Sequence, residues 1–205
     1  VVAGAGCGVL DLAAAHPASG VVEAVSCIGH PQIRCRSTVG GTVALAEPAA
    51  ELPAVVLGLD GVVTVRSTTG EWELAASEWF VGRRRSARRT DELVTEVRLA
   101  VPTGVSGWAE VSRRPNDLPI VGLFAARCAD GWRVALAGVA ETPVRSTACE
   151  AALDADPADV DAAVAAMVAE FDPPSDVLAS AAHRRSIAAS LLRRVLEPDV
   201  TETAA

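Results

Sequence analysis

The run from Gly29 to Pro53, GHPQIRCRSTVGGTVALAEPAAELP, constrains this chain more than any other stretch. Ser37-Thr38-Val39-Gly40-Gly41-Thr42, preceded by Arg34 and Arg36, gathers consecutive backbone N–H groups, hydroxyls and two residues without Cβ. A loop that brings its backbone close to a pyrophosphate needs those features. Beyond it, Pro48 stops the local structure and Glu51 follows, a carboxylate placed to accept hydrogen bonds from ribose or ribityl hydroxyls. A double glycine alone marks a turn more readily than a phosphate site, so the weight rests on the whole run.

As a whole, the run resembles the second flavin-binding segment of the FAD-binding (medium) subunit of molybdenum hydroxylases, the family of aerobic carbon monoxide dehydrogenase and xanthine dehydrogenase. Three further stretches are similar to landmarks of that family in the same order: DELVTEVRLAVP (Asp91 to Pro102), ALAGVAETPVRS (Ala135 to Ser146) and SDVLASAAHRRSIAASLLRRVL (Ser175 to Leu196). Together they cover nearly the whole chain.

With 205 residues, half of them hydrophobic, the chain can bury roughly 70 per cent of its unfolded surface, enough for one large core or two modest ones. No apolar stretch reaches about 18 to 20 residues without a charge, and no basic segment leads into an apolar one. The expectation is a cytoplasmic globular protein without a membrane span. A net charge of −8 argues against nucleic acid as a partner, and any bound phosphate must be held by local donors. Cys7, Cys27, Cys35, Cys128 and Cys149 form no C-x-x-C pair, and His16, His30 and His183 are scattered. Neither a disulfide framework, a metal site nor a catalytic triad is indicated, and each cysteine is expected to be a small buried hydrophobe. The sequence offers no catalytic residue, so any redox chemistry belongs to a cofactor.

Punctuation along the chain predicts an α+β fold in two parts. Short helices are expected at Leu10 to Ala15 and Val21 to Ile28, and another within Pro48 to Leu59. A hairpin follows over Val62 to Ser67 and Glu71 to Ala75, then a strand over Val94 to Ala100. Pro102 and Gly104 to Gly107 mark the boundary between a partial FAD-binding domain, 1–103, built on a mixed sheet, and a smaller C-terminal domain, 107–200. The second domain is expected to hold three antiparallel strands, at Trp108 to Ser112, Ile120 to Arg127 and Trp132 to Gly138, the last two joined by an Asp-Gly turn. Helices at Val144 to Leu153, Pro157 to Phe171 and Val177 to Leu196 complete it. The run Arg83 to Arg89 reads either as a solvated loop or as a contact beside a cofactor or partner. Trp72, Trp79, Trp108 and Trp132 read as core or interface anchors. His183, Arg184 and Arg185 read as a structural group on the outer face of the last helix.

The resemblance implies more specific roles. It implies FAD as cofactor, with the diphosphate on Ser37, Thr38, Val39, Gly40, Gly41 and Thr42, a sugar hydroxyl on Glu51, and the isoalloxazine ring against Val94. It also implies partners, an iron–sulfur subunit and a molybdenum cofactor subunit, between which and an acceptor the flavin carries electrons. The opening VVAGAG reads as a strand entering a glycine turn, and the family's first pyrophosphate loop has no counterpart, so an N-terminally truncated flavoprotein is expected. Several positions depart from the family pattern: Cys35, Ser37, Leu45, Glu47 and Glu51, and above all Glu110, which falls where a Lys is frequent. Those departures keep open a second reading, a degenerate relative that has lost FAD and serves as an assembly or interaction module. A third reading is an α+β domain whose Gly40-Gly41 is only a turn.

Overall fold

The computed structural model describes residues 1–196; residues 197–200, which the expected C-terminal domain includes, lie outside the described residues. In chain order the elements are β1 (Val2–Gly4), α1 (Val9–Ala15), α2 (Ser19–Cys27), α3 (Pro31–Arg34), α4 (Val39–Leu45), α5 (Glu51–Gly58), β2 (Val62–Arg66), β3 (Glu71–Ala75), α6 (Ala76–Trp79), β4 (Phe80–Gly82), β5 (Arg85–Ser86) and β6 (Leu93–Arg98). There follow β7 (Ser106–Val111), β8 (Val121–Cys128), β9 (Gly131–Ala137), β10 (Val144–Arg145), α7 (Thr147–Ala155), α8 (Val160–Glu170) and α9 (Ala181–Leu196). The fold is α+β.

One four-stranded sheet runs in the order β1-β6-β2-β3 and a second in the order β10-β9-β8-β7, with β4 and β5 paired separately. Every pairing between these strands is antiparallel, where a mixed sheet was expected in the first part. The predicted hairpin is β2–β3, closed by the Ser67 N–H donating to the Gly70 carbonyl. The Asp-Gly turn joins β8 to β9, with Gly131 at a φ of +142° that suits a residue without Cβ.

Two expectations are corrected here. The second sheet has four strands rather than three, because Val144 and Arg145 pair with Leu136 and Ala135 instead of starting a helix. The helix begins only at Thr147, where the Glu170 carboxylate accepts hydrogen bonds from the N–H groups of Thr147 and Ala148 and from the Ser146 and Thr147 hydroxyls. A distant acid caps this helix, which local sequence cannot reveal.

The second sheet is buried on both faces, which explains why VGLFAARC is almost continuously apolar. Phe124, Ala126 and Ala137 join the core built from α1, α2, α4, α5 and the first sheet. Leu123, Ala125, Val134 and Leu136 point the other way, into a core completed by Leu153, Met167, Ala188 and Leu192 of the last three helices. Between the two sheets lies α5, with all eight residues from Glu51 to Gly58 buried. It packs on α2 and α4 on one side and on β8, β9 and β10 on the other. A helix apolar all round belongs in such a place, and its single acid, Glu51, is therefore conspicuous.

Candidate functional site

The Ser37 to Thr42 stretch is the entry to α4. Thr38 is the N-cap, its Oγ1 accepting from the Gly41 N–H at 3.1 Å. Its neighbour in space is the turn after β1: Gly8 and Thr38 form an isolated bridge, flanked by Val9 N–H donating to the Ser37 carbonyl and Val39 N–H donating to the Cys7 carbonyl. Gly40 N–H donates to the Ala5 carbonyl at 3.0 Å. A Cβ at Gly40 would lie 2.7 Å from the Ala5 Cα, so this glycine is demanded by the closeness of the two turns.

This geometry corrects the expectation of a row of free donors. The N–H groups of Val39, Gly40 and Gly41 all serve the protein itself, and Thr42 N–H closes the first helical turn onto the Thr38 carbonyl. The Ser37 hydroxyl donates to the Ile33 carbonyl. Among the described residues, the N–H groups of Thr38, Gly6 and Gly8 make no hydrogen bond. Ideal Cβ atoms at Gly4 and Gly6 meet nothing within 4 Å, so the surface beside this turn is open. Two adjoining turns thus present unpaired N–H groups, a feature that suits an anion.

Val94 is half-buried on β6 opposite Val65, at a point where the β2–β6 register shifts. The next residue, Thr95, accepts from the Ala5 N–H at 2.9 Å, so β6 abuts the turn that supports Gly40. The structure therefore brings Val94 and the Thr38 to Thr42 segment to the same end of the first sheet.

Glu51 belongs to a different group of side chains. It opens α5 with only 3% of its surface exposed, and its Oε1 is enclosed without a hydrogen-bond partner. Burial pushes its carboxyl up to about 7; its backbone hydrogen bond opposes the rise and the charge of Glu110 adds to it. The Glu110 carboxyl is raised as well, by burial, although it accepts from Trp108 Nε1 at 3.0 Å. Burial, with Glu110, Glu51 and Glu23 nearby, pushes the Cys27 thiol up to about 11. Glu23 accepts from the Trp108 N–H at 2.7 Å, satisfying the outer edge of β7. Sequence reasoning singles out Glu51 and Glu110 separately and misses their meeting with Cys27, Trp108 and Glu23, which only the packing of α2 against both β7 and α5 produces. Enclosure of Oε1 means that a ligand using this oxygen must displace a neighbour.

Cys35 is exposed and Cys7 and Cys27 are half-buried, so only Cys128 and Cys149 are the buried hydrophobes foreseen. Trp79 is fully buried and donates to the Val43 carbonyl. The arginine run is largely pinned: Arg84 pairs with the buried Glu47, and Arg89 pairs with the buried Glu92 and stacks over Trp72 at 4.5 Å. Arg184 points into the protein rather than outward. Among the described residues no cluster of three His, Cys, Asp or Glu side chains could hold a metal, and no helix is long and apolar enough to cross a membrane.

Residues 1–102 match the family described as FAD binding domain in molybdopterin dehydrogenase, and residues 107–198 match the CO dehydrogenase flavoprotein C-terminal domain. Caffeine dehydrogenase subunit beta of Pseudomonas sp. (strain CBB1) is 39% identical over 62% of this chain and 46% of its own length. The 6-hydroxypseudooxynicotine dehydrogenase complex subunit alpha of Paenarthrobacter nicotinovorans is 35% identical over 85% of this chain and 62% of its own. The chain thus spans about half to three fifths of the length of these curated relatives. Among solved structures, reconstituted CO dehydrogenase from Oligotropha carboxidovorans superposes with a TM-score of 0.85 at 26% identity, covering 96% of this chain and 73% of that one.

Proposed function

The chain belongs to the family of FAD-binding flavoprotein subunits of molybdopterin dehydrogenases, and from that premise we propose that it holds FAD and passes electrons through it, from an iron–sulfur partner subunit to an acceptor. The substrate would be oxidised by a molybdenum cofactor subunit of the same complex. The observation that carries the proposal is the pair of adjoining turns whose Thr38, Gly6 and Gly8 N–H groups are unpaired beside open surface. These donors, with the Thr42 hydroxyl, would hold the diphosphate; Ser37, Val39, Gly40 and Gly41 would act by shaping and fixing the turn. Val94, on the adjoining strand, would lie against the ring, and Glu51 would take a sugar hydroxyl once a neighbour moved.

When bound, the flavin supplies the redox chemistry. The residues of this chain bind it, shield it and set its potential. Glu110 bears on the last of these. A carboxylate facing the flavin would disfavour a negatively charged reduced ring, and burial holds the Glu110 carboxyl above its ordinary range. Replacing Glu110 by Lys is expected to raise the flavin potential if the residue faces the ring, measured by spectroelectrochemistry; an unchanged potential would show that it does not.

The direct test is the visible spectrum of the full-length protein after incubation with FAD and removal of excess. Retained flavin bands support the proposal. Their absence would leave the interaction-module reading in its place.

A further inference from the structure

Arg184 lies in the first turn of α9 with 3% of its surface exposed. Its Nη1 donates to two carbonyls, Ile120 at 2.5 Å and Gly138 at 2.7 Å, and its Nη2 pairs with Asp176 at 2.7 Å. Burying this cation costs desolvation, which these three acceptors offset. Its Nε remains without a partner. The guanidinium ties together the start of β8, the end of β9 and the loop before α9.

Gly138 carries the connection further. It adopts a φ of +78°, and a Cβ there would collide with the Ile120 carbonyl and approach the Pro119 oxygen at 3.3 Å, so no other residue fits without strain. In this conformation its N–H donates to the Pro48 carbonyl at 2.9 Å. Pro48 is buried and stands within the turn that leads into α5, where Ala50 N–H closes onto the Glu47 carbonyl at 3.0 Å and Glu51 follows. One face of Gly138 is thus held by Arg184 while the other holds the turn before Glu51.

We propose that Arg184 is a positioning residue for the Pro48 to Glu51 turn, acting through Gly138 to fix where α5 begins and hence where the Glu51 carboxylate stands. This gives the ASAAHRRS stretch a part in the site, although none of its side chains reaches it. The positioning rests on the hydrogen bonds alone; its bearing on flavin rests on the function proposed above.

Hydrogen–deuterium exchange on the full-length protein without flavin tests the positioning. Arg184→Lys keeps the charge but cannot reach both carbonyls and Asp176 at once. Asp176→Asn loosens the guanidinium more gently, since Asp176 is an exposed partner. The expected result is exchange at residues 49–52 faster by about tenfold in Arg184→Lys and by less in Asp176→Asn, with 147–170 unchanged. Unchanged exchange at 49–52, or equal acceleration across α7 and α8, would overturn the proposal, because the second outcome describes a merely structural arginine. The same variants are then titrated with FAD, and Arg184→Lys is expected to weaken binding by about tenfold, in step with the local opening. Full affinity in a variant with faster exchange would contradict the link to flavin. A wild-type protein that takes up no FAD would remove the flavin assignment, and the exchange result alone would then decide the role of Arg184.

Discussion

Gly40 and Gly41 stand next to each other and do different things. Gly40 is buried against Ala5, so Gly40→Ala must separate two turns that share three backbone hydrogen bonds. Overpacking of this kind costs about 1–3 kcal/mol, and a denaturant melt of the variant is expected to show a loss in that range. Gly41 is exposed, and the nearest atom to an added Cβ is the Thr38 Oγ1 of the cap at 2.8 Å. A branched side chain at Gly41 therefore disturbs the cap while leaving the core alone. Glu51 supplies a pH signature. Its carboxyl stands at about 7 in the folded protein because burial favours the protonated form. The folded state therefore binds this proton more tightly than the unfolded chain does. Its contribution to stability is greatest below the ordinary carboxylate range and declines as pH rises to about 7. Glu51→Gln removes that decline, and thermal melts across this window are expected to show the variant gaining on wild type by up to about 3 kcal/mol toward the alkaline side. Parallel curves for the two proteins would show that Glu51 titrates normally. The residue types in this run pointed to a ligand site, but which N–H groups remain free depends on the Ala5 and Cys7 carbonyls, and no local pattern displays them.

At the level of elements, α4 is held at both ends by parts distant in sequence. The Gly4 to Gly8 turn braces its start, and α6 with the β4–β5 hairpin covers its end: Trp79 of α6 donates to Val43, and from the hairpin Ser86 donates to Ala44 and Arg84 N–H to Ala46. Ala46 adopts a left-handed φ of +51° to end the helix, and Arg84 does the same at +52° to turn the hairpin. Trp79→Phe keeps most of the packing and leaves the Val43 carbonyl without its indole donor. A loss of about 1 kcal/mol in chemical unfolding is expected, and an unchanged midpoint would show that another donor replaces it. The regular elements were legible in the sequence wherever period and punctuation agreed. The β2–β3 hairpin and the Asp-Gly turn of β8–β9 carry their signals within a few residues. Val144 and Arg145 carry no local strand signal, because two residues between Pro143 and Ser146 cannot show that the edge of β9 awaits them. Arg184 reads as an outer-face residue because charge normally favours solvent, and two carbonyls from distant segments together with Asp176 in the preceding loop reverse that preference.

Across the whole molecule, α5 is the element both halves share, and each of its ends is tied to the second sheet. Pro48 meets Gly138 before its start, and Asp60, just beyond its end at a φ of +47°, pairs with Arg133 and Arg145. Arg133 is nearly buried, so Asp60→Ala would leave it with Asp130 as its remaining carboxylate. Because Asp60 is itself partly exposed, a modest loss of about 1–2 kcal/mol in a urea melt is expected; a neutral result would show that these ion pairs add nothing to the join between the two halves. The family resemblance was legible because its landmarks recur along the chain in order, whereas the junction of Glu51, Glu110 and Cys27 arises only when the second sheet closes over α2 and α5. The central claim is that the turn into α4 is shaped to hold a flavin diphosphate. It is tested most directly by titrating FAD into the full-length wild-type protein and its Gly41→Val variant, following flavin fluorescence, with thermal melts of both. Saturable binding by wild type, and at least about tenfold weaker binding by a variant that still melts cooperatively, only a few degrees lower because its cap is disturbed, is the predicted result. No uptake by wild type, or equal uptake by a folded Gly41→Val protein, would contradict the claim.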